Sequence, residues 1–155
     1  MATRVAKVTW GKKLEEKLHN TLELFLGCKL TPTTYTYDSV DFRGDVGVVE
    51  LKGRPTLRNG DPKTPQNSTS FPGWYVPVCK ADNLKTPLHI FYYWEGDDSL
   101  WYCLYNTERF ATYKKEVPFR HPTKQVHFVI PKSDFVEITQ ARRKALLTNK
   151  LIDLI

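Results

Sequence analysis

Leucines recur at every fourth position near the start of the chain. Leu14, Leu18 and Leu22, followed by Phe25, draw one apolar stripe along residues 10–26 (WGKKLEEKLHNTLELFL). That is the spacing of an amphipathic helix, and Gly27 stands where such a helix stops. With about 3.6 residues per turn, Glu15 falls on the edge of the stripe, whereas Glu16 and Glu23 point away. Glu15 is thus the one acid of this helix directed at the body of the protein. The pattern then changes. TPTTYTYDSVDF (31–42) and VGVVELKG (46–53) read as two strands of a hairpin around an RGD turn at 43–45. A proline-rich stretch with little apolar content, residues 54–73, predicts a loop of about twenty residues, a length that in a compact domain usually serves function. WYVPVCKADN predicts a strand, and 88–105 a second hairpin turning at GDD (96–98). VHFVIP (126–131) predicts a further strand. The segment SDFVEITQARRKALLTNKLIDLI predicts a C-terminal helix with Ser133 as a candidate N-cap. Helix, hairpin, more strands and helix predict an α+β (mixed α/β) fold, one domain over 1–155 around a central mixed sheet with a helix at each end.

The hairpin carries chemistry. Glu50 and Lys52 lie two residues apart on VVELKG, a segment that is otherwise apolar on both faces, as in a central strand. Burying a carboxylate and an ammonium there is costly unless a partner or metal takes them up. Asp41 stands at the end of the preceding strand, and pairing at about 4.8 Å brings it and Glu50 within reach of one divalent cation. Mg²⁺ prefers such hard oxygen ligands and commonly uses one or two protein carboxylates. Lys52 on the same face would position or deprotonate an attacking water and attract a phosphate. Glu15 would complete the ligand set if its helix packs beside the hairpin. The competing reading is an edge hairpin whose Glu and Lys form an ion pair on a wet face.

An inward Glu on a helix (Glu15 in KKLEEKL), an Asp ending a strand (Asp41 in VDF) and ExK on the next (Glu50 and Lys52 in VVELKG) resemble the PD-(D/E)xK nuclease superfamily, nearest in look to phage-type endonuclease I, which resolves branched DNA. The resemblance covers residues 10 to about 55. It implies a restriction-endonuclease-like core and metal-dependent hydrolysis of phosphodiesters, with Asp41, Glu50 and Glu15 holding Mg²⁺ or Mn²⁺ and Lys52 serving the nucleophilic water. Val40 stands where the motif has proline, and the helix usual after ExK is replaced by the proline-rich stretch. Asp38 and Asp45 are rival acids. Asp38, three residues from Asp41, faces the other side of an extended strand, and Asp45 belongs to the turn.

Charge agrees with a polyanionic partner. The 155 residues carry a formal net charge of +6. Arg54 and Arg58 follow the ExK strand and, with Lys12 and Lys13, are candidate nucleic-acid contacts. Further basic clusters are Lys114, Lys115 and Arg120, and Arg142 to Lys144. Trp74, Tyr75, Tyr92 and Trp94 either stack bases or fill a core, and packing is the expected role. His89 and His127 read as structural, His19 and His121 as surface residues. Cys28, Cys79 and Cys103, an odd number without CxxC spacing, read as reduced thiols and not as a disulfide or zinc set. There is no secretory leader pattern and no apolar run of about 18 residues, so the cytoplasm or nucleus, or a virus-infected cell, is the expected setting. DNA is the expected partner, and cutting two strands favours a homodimer. A non-catalytic nucleic-acid-binding module and a protein-interaction domain are the alternatives from other classes.

Overall fold

The computed structural model describes residues 4–33, 40–56, 66–78, 86–118 and 124–153. Among these residues, three α-helices and nine strands form a mixed α+β arrangement. Helix α1 spans Arg4–Leu26, starting earlier than its apolar stripe. The strands are β1 (Leu30–Pro32), β2 (Phe42–Gly44), β3 (Gly47–Arg54), β4 (Gly73–Pro77), β5 (Leu88–Trp94), β6 (Ser99–Leu104), β7 (Lys114–Glu116), β8 (His127–Pro131) and β9 (Val136–Ile138). Helix α2 is one turn, Thr107–Phe110, and α3 spans Gln140–Asp153. Six strands make a mixed sheet in the order β1-β2-β3-β5-β6-β9, and β4-β8-β7 make a second sheet.

Strand β3 lies inside the larger sheet, antiparallel to β2 and parallel to β5. Its first five residues are buried, as apolarity on both faces predicts. On one face the α1 stripe of Leu14, Leu18 and Leu22 packs with Phe42, Val49, Leu51 and Phe91. On the other, Val48, Ile90, Tyr92 and Trp94 meet Trp74, Val76, Phe128 and Ile130 of the smaller sheet. Trp74, Tyr92 and Trp94 are 1–2% exposed; they are core and present no face for a base.

Four expectations are corrected. Residues 31–42 are not one strand: β1 ends at Pro32, β2 begins at Phe42, and 34–39 lie outside the described residues. The turn is Asp45–Val46, not 43–45, since Gly44 pairs with Gly47. Gly47 takes φ +131°, and a Cβ there would lie 2.2 Å from the Pro87 carbonyl oxygen, so only glycine fits. The WYVPVCKADN and VHFVIP segments pair with each other in a sheet of their own, because Trp74 and Val76 alternate inward onto β5. Ser133 caps nothing; 132–134 form a 3-10 turn, 136–138 add an edge strand to β6, and Thr139 Oγ1 accepts from the Arg142 amide at the start of α3.

Candidate active site

Asp41 stands immediately before β2, at an irregularity in the ladder. Its N–H donates to the Val49 carbonyl at 2.8 Å, although Val49 pairs with Phe42. Two consecutive residues therefore face one, the signature of a β-bulge. The bulge shows in the packing: Val40 joins the core beside the smaller sheet, while Phe42, two residues on, joins the core beneath α1. A regular strand would put both on one face. The bend frees the Asp41 side chain to lie along the seam, where Oδ2 accepts the Leu51 N–H at 2.7 Å. A side-chain oxygen thus takes the place of a ladder carbonyl and anchors Asp41 beside the ExK segment.

Glu15 reaches the same carboxylate from α1. Its side chain is 15% exposed and pairs with Lys12 Nζ at 3.2 Å. Burial first, then the charge of Asp41 and a hydrogen bond with it, push the Glu15 carboxyl up to about 7; Lys12 opposes this. Two carboxyls held in contact resist joint ionisation. A cation relieves that repulsion, and both donors are hard oxygens of the kind Mg²⁺ and Mn²⁺ accept. The Glu15–Asp41 pair thus offers two donors of the type such a cation takes. Among the described residues, no three His, Cys, Asp or Glu side chains converge as a ligand set.

Glu50 and Lys52 alternate with Val49 and Leu51 and so project to the sheet face opposite α1. Glu50 is 3% exposed. Lys52 Nζ lies 4.0 Å from its Oε1, and the Lys52 side chain is 28% exposed, so the ammonium is held between a buried carboxylate and solvent. The four expected site residues therefore fall into two pairs on opposite faces of the sheet: Glu15 with Asp41 on the α1 side, and Glu50 with Lys52 on the other. Among the described residues, β3 beyond the bulge has β5 as its ladder neighbour.

Of the expected nucleic-acid contacts, Lys12 and Lys13 are exposed on α1. Arg54 lies on the Lys52 face, its Nε donating to Tyr92 Oη at 3.1 Å. Arg58, Asp38, Cys79, Arg120 and His121 lie outside the described residues. Arg142 lies over Phe25, and Arg143 is held by Asp98 at 3.5 Å, so the basic start of α3 is largely committed to packing. His89 is structural, bonded to Tyr102 Oη and the Val46 carbonyl. His19 is a surface residue only in part. It is half-buried against Phe42, with Nε2 2.7 Å from the Leu30 carbonyl oxygen, and it borders a cavity of about 160 Å³ lined also by Lys12, Glu15, Glu16, Pro32 and Phe42. Its placement beside Glu15 was readable from their i,i+4 spacing. The Leu51 amide anchor and the bulge had no sequence signal. No protein-family model, no curated protein and no solved structure matches this chain.

Proposed function

We propose that the protein is a metal-dependent nuclease that hydrolyses phosphodiester bonds, with DNA as the expected substrate. The observation that carries this reading is the Glu15–Asp41 carboxyl pair, tied through the Leu51 amide to the strand that bears Glu50 and Lys52. The residue types that the superfamily resemblance implies stand on a helix, a bulge and a strand that adjoin, which supports the reading. Asp41 and Glu15 would hold Mg²⁺ or Mn²⁺, which when bound supplies charge neutralisation and an acidified water, while Glu50, on the other face of β3, would serve Lys52. The Asp41 carboxylate keeps one oxygen on the Leu51 amide, which fixes its orientation. Glu50 holds the Lys52 ammonium, which would orient the attacking water and draw in the phosphate. Arg54, on the Lys52 face and held against Tyr92, would contact the backbone of the nucleic acid. A homodimer would supply one site to each strand of a duplex.

The Glu50–Lys52 ion pair favours a second reading, a nucleic-acid-binding module without catalysis, in which that pair is structural. Cleavage of supercoiled plasmid, linear duplex, single strand and four-way junction in Mg²⁺, Mn²⁺ or EDTA separates the two. The nuclease reading expects metal-dependent cutting that Glu50→Ala and Lys52→Ala each reduce at least a hundredfold. Equal, background cutting by wild type and Lys52→Ala on every substrate would sink it. Salt-sensitive binding without cleavage would then support the module.

A further inference from the structure

On the other flank of α1 from Glu15 lies a second depression, of about 190 Å³, lined by Trp10, Lys13, Leu14, Lys17, Tyr93 and Glu95. Its wall is an indole in a fixed orientation. Trp10 Nε1 donates to Glu95 Oε2 at 3.1 Å, and Glu95 Oε1 accepts from the Thr56 amide and hydroxyl at 3.2 and 2.9 Å. Three donors therefore engage the one acid of the cavity. Beneath the indole is bare backbone: a Cβ on Gly53 would come within 2.6 Å of the ring and 2.2 Å of Leu14 Cδ2. Lys17 is held in place, its Nζ 2.9 Å from Tyr93 Oη and 4.8 Å from that ring. Lys13, one turn earlier on the same flank, is exposed. A half-buried aromatic wall, a small apolar floor and two ammonium groups form a pre-set combination. The volume is too small to enclose a ligand of ordinary size but suits a single planar ring laid against the indole.

We propose that this cavity is a subsite for an unpaired nucleotide, its base stacked on Trp10 and its neighbouring phosphate held by Lys13. The proposal rests on the nucleic-acid reading above, though not on its catalytic step. It also names the substrate class: a strand that is single at this point, since a base paired in a duplex has no face to offer the indole. Lys13, at this cavity, and Lys12 and Glu16, at the depression beside Glu15, are exposed on α1, so a strand that runs from one to the other meets both ammonium groups and the Glu16 carboxylate.

The experiment is fluorescence anisotropy of a labelled deoxythymidine 12-mer in EDTA, where no cleavage interferes. Wild type is compared with Trp10→Phe, Trp10→Leu and Lys13→Gln, and thermal unfolding of each protein is recorded alongside. Stacking is worth about 1–3 kcal/mol per base. Trp10→Leu should thus weaken binding about fivefold or more, with Trp10→Phe between it and wild type. Lys13→Gln should lower the slope of log affinity against log salt by about 0.7. An unlabelled duplex of the same sequence should compete less well than the single strand. Glu16→Gln should tighten binding. Absence of oligonucleotide binding by wild type, or equal binding by wild type and a folded Trp10→Leu protein, would overturn the proposal. So would better competition by duplex. Because binding is read without metal, its failure is separable from failure of the cleavage assay, which reads Glu50 and Lys52.

Discussion

Glu15 has its carboxyl in contact with that of Asp41, and the sign of the consequence follows from burial and like charge. Both disfavour its ionised form, so its proton is held to about pH 7 in the folded protein. Below about pH 4.5 folded and unfolded chains both carry that proton, and stability is complete. Between about 4.5 and 7 the unfolded chain loses it first, binds fewer protons than the native state, and stability falls as pH rises. Above 7 the penalty is constant. One pKa unit corresponds to about 1.36 kcal/mol, and with partial screening by solvent the loss attributable to Glu15 is of the order of 1–2 kcal/mol. Glu15→Gln keeps a donor toward Asp41 and removes the charge. Urea unfolding at pH 5 and pH 8 in EDTA should show the variant more stable than wild type at pH 8 and nearly equal at pH 5. A variant less stable at both pH values would mean that the Glu15–Asp41 contact is not the source of the effect.

Gly53 joins the helix to the sheet. The face of β3 beneath α1 runs Val49, Leu51, Gly53, and at the last position the ends of the Leu14 and Trp10 side chains fill the space of a Cβ, at 2.2 and 2.6 Å. Gly53→Ala should overpack this contact at about 1–3 kcal/mol, lowering the melting temperature by roughly 2–4 °C per kcal/mol in a chain of this size. Because Glu15 sits on the same helix, cleavage should fall with stability, even though Gly53 offers no functional group. A variant that melts like wild type and cuts at full rate would show that α1 is not clamped there. The α1 stripe and the buried character of β3 were legible because each repeats one period over several residues. Glu15, at the edge of that stripe, was legible for the same reason. What was illegible depends on single positions: a bulge that shifts Asp41 from strand end to strand seam, a three-residue edge strand at 136–138, and the separation of β4 and β8 into their own sheet. Such features are set by partners distant in the chain, here Val49, Leu51 and Leu100–Tyr102, and short strands carry too few residues to announce a period.

The candidate site residues come from parts of the chain that only folding unites. Glu15 lies on the helix over one core, Asp41 at a bulge between the two cores, and Glu50 on a strand buried from both sides. The unfolded chain offers no comparable site, so a cation that binds the carboxyls must stabilise the whole molecule by mass action, by about 2.7 kcal/mol at a hundredfold excess over its Kd. In a protein of this size that is a rise of roughly 5–10 °C in melting temperature. The rise should grow from pH 6 to pH 8, because binding requires Glu15 to give up its proton, and EDTA should reverse it. Asp41→Asn retains an oxygen for the Leu51 amide and removes the charge, and should abolish most of the rise with little loss of metal-free stability. Lys52→Ala should keep the rise while losing cleavage, which separates holding the metal from using it. Thermal unfolding with 0–10 mM Mg²⁺ or Mn²⁺ decides the matter: equal shifts in wild type and Asp41→Asn would place any cation elsewhere and leave the Glu15–Asp41 pair as a proton-sharing link between helix and sheet.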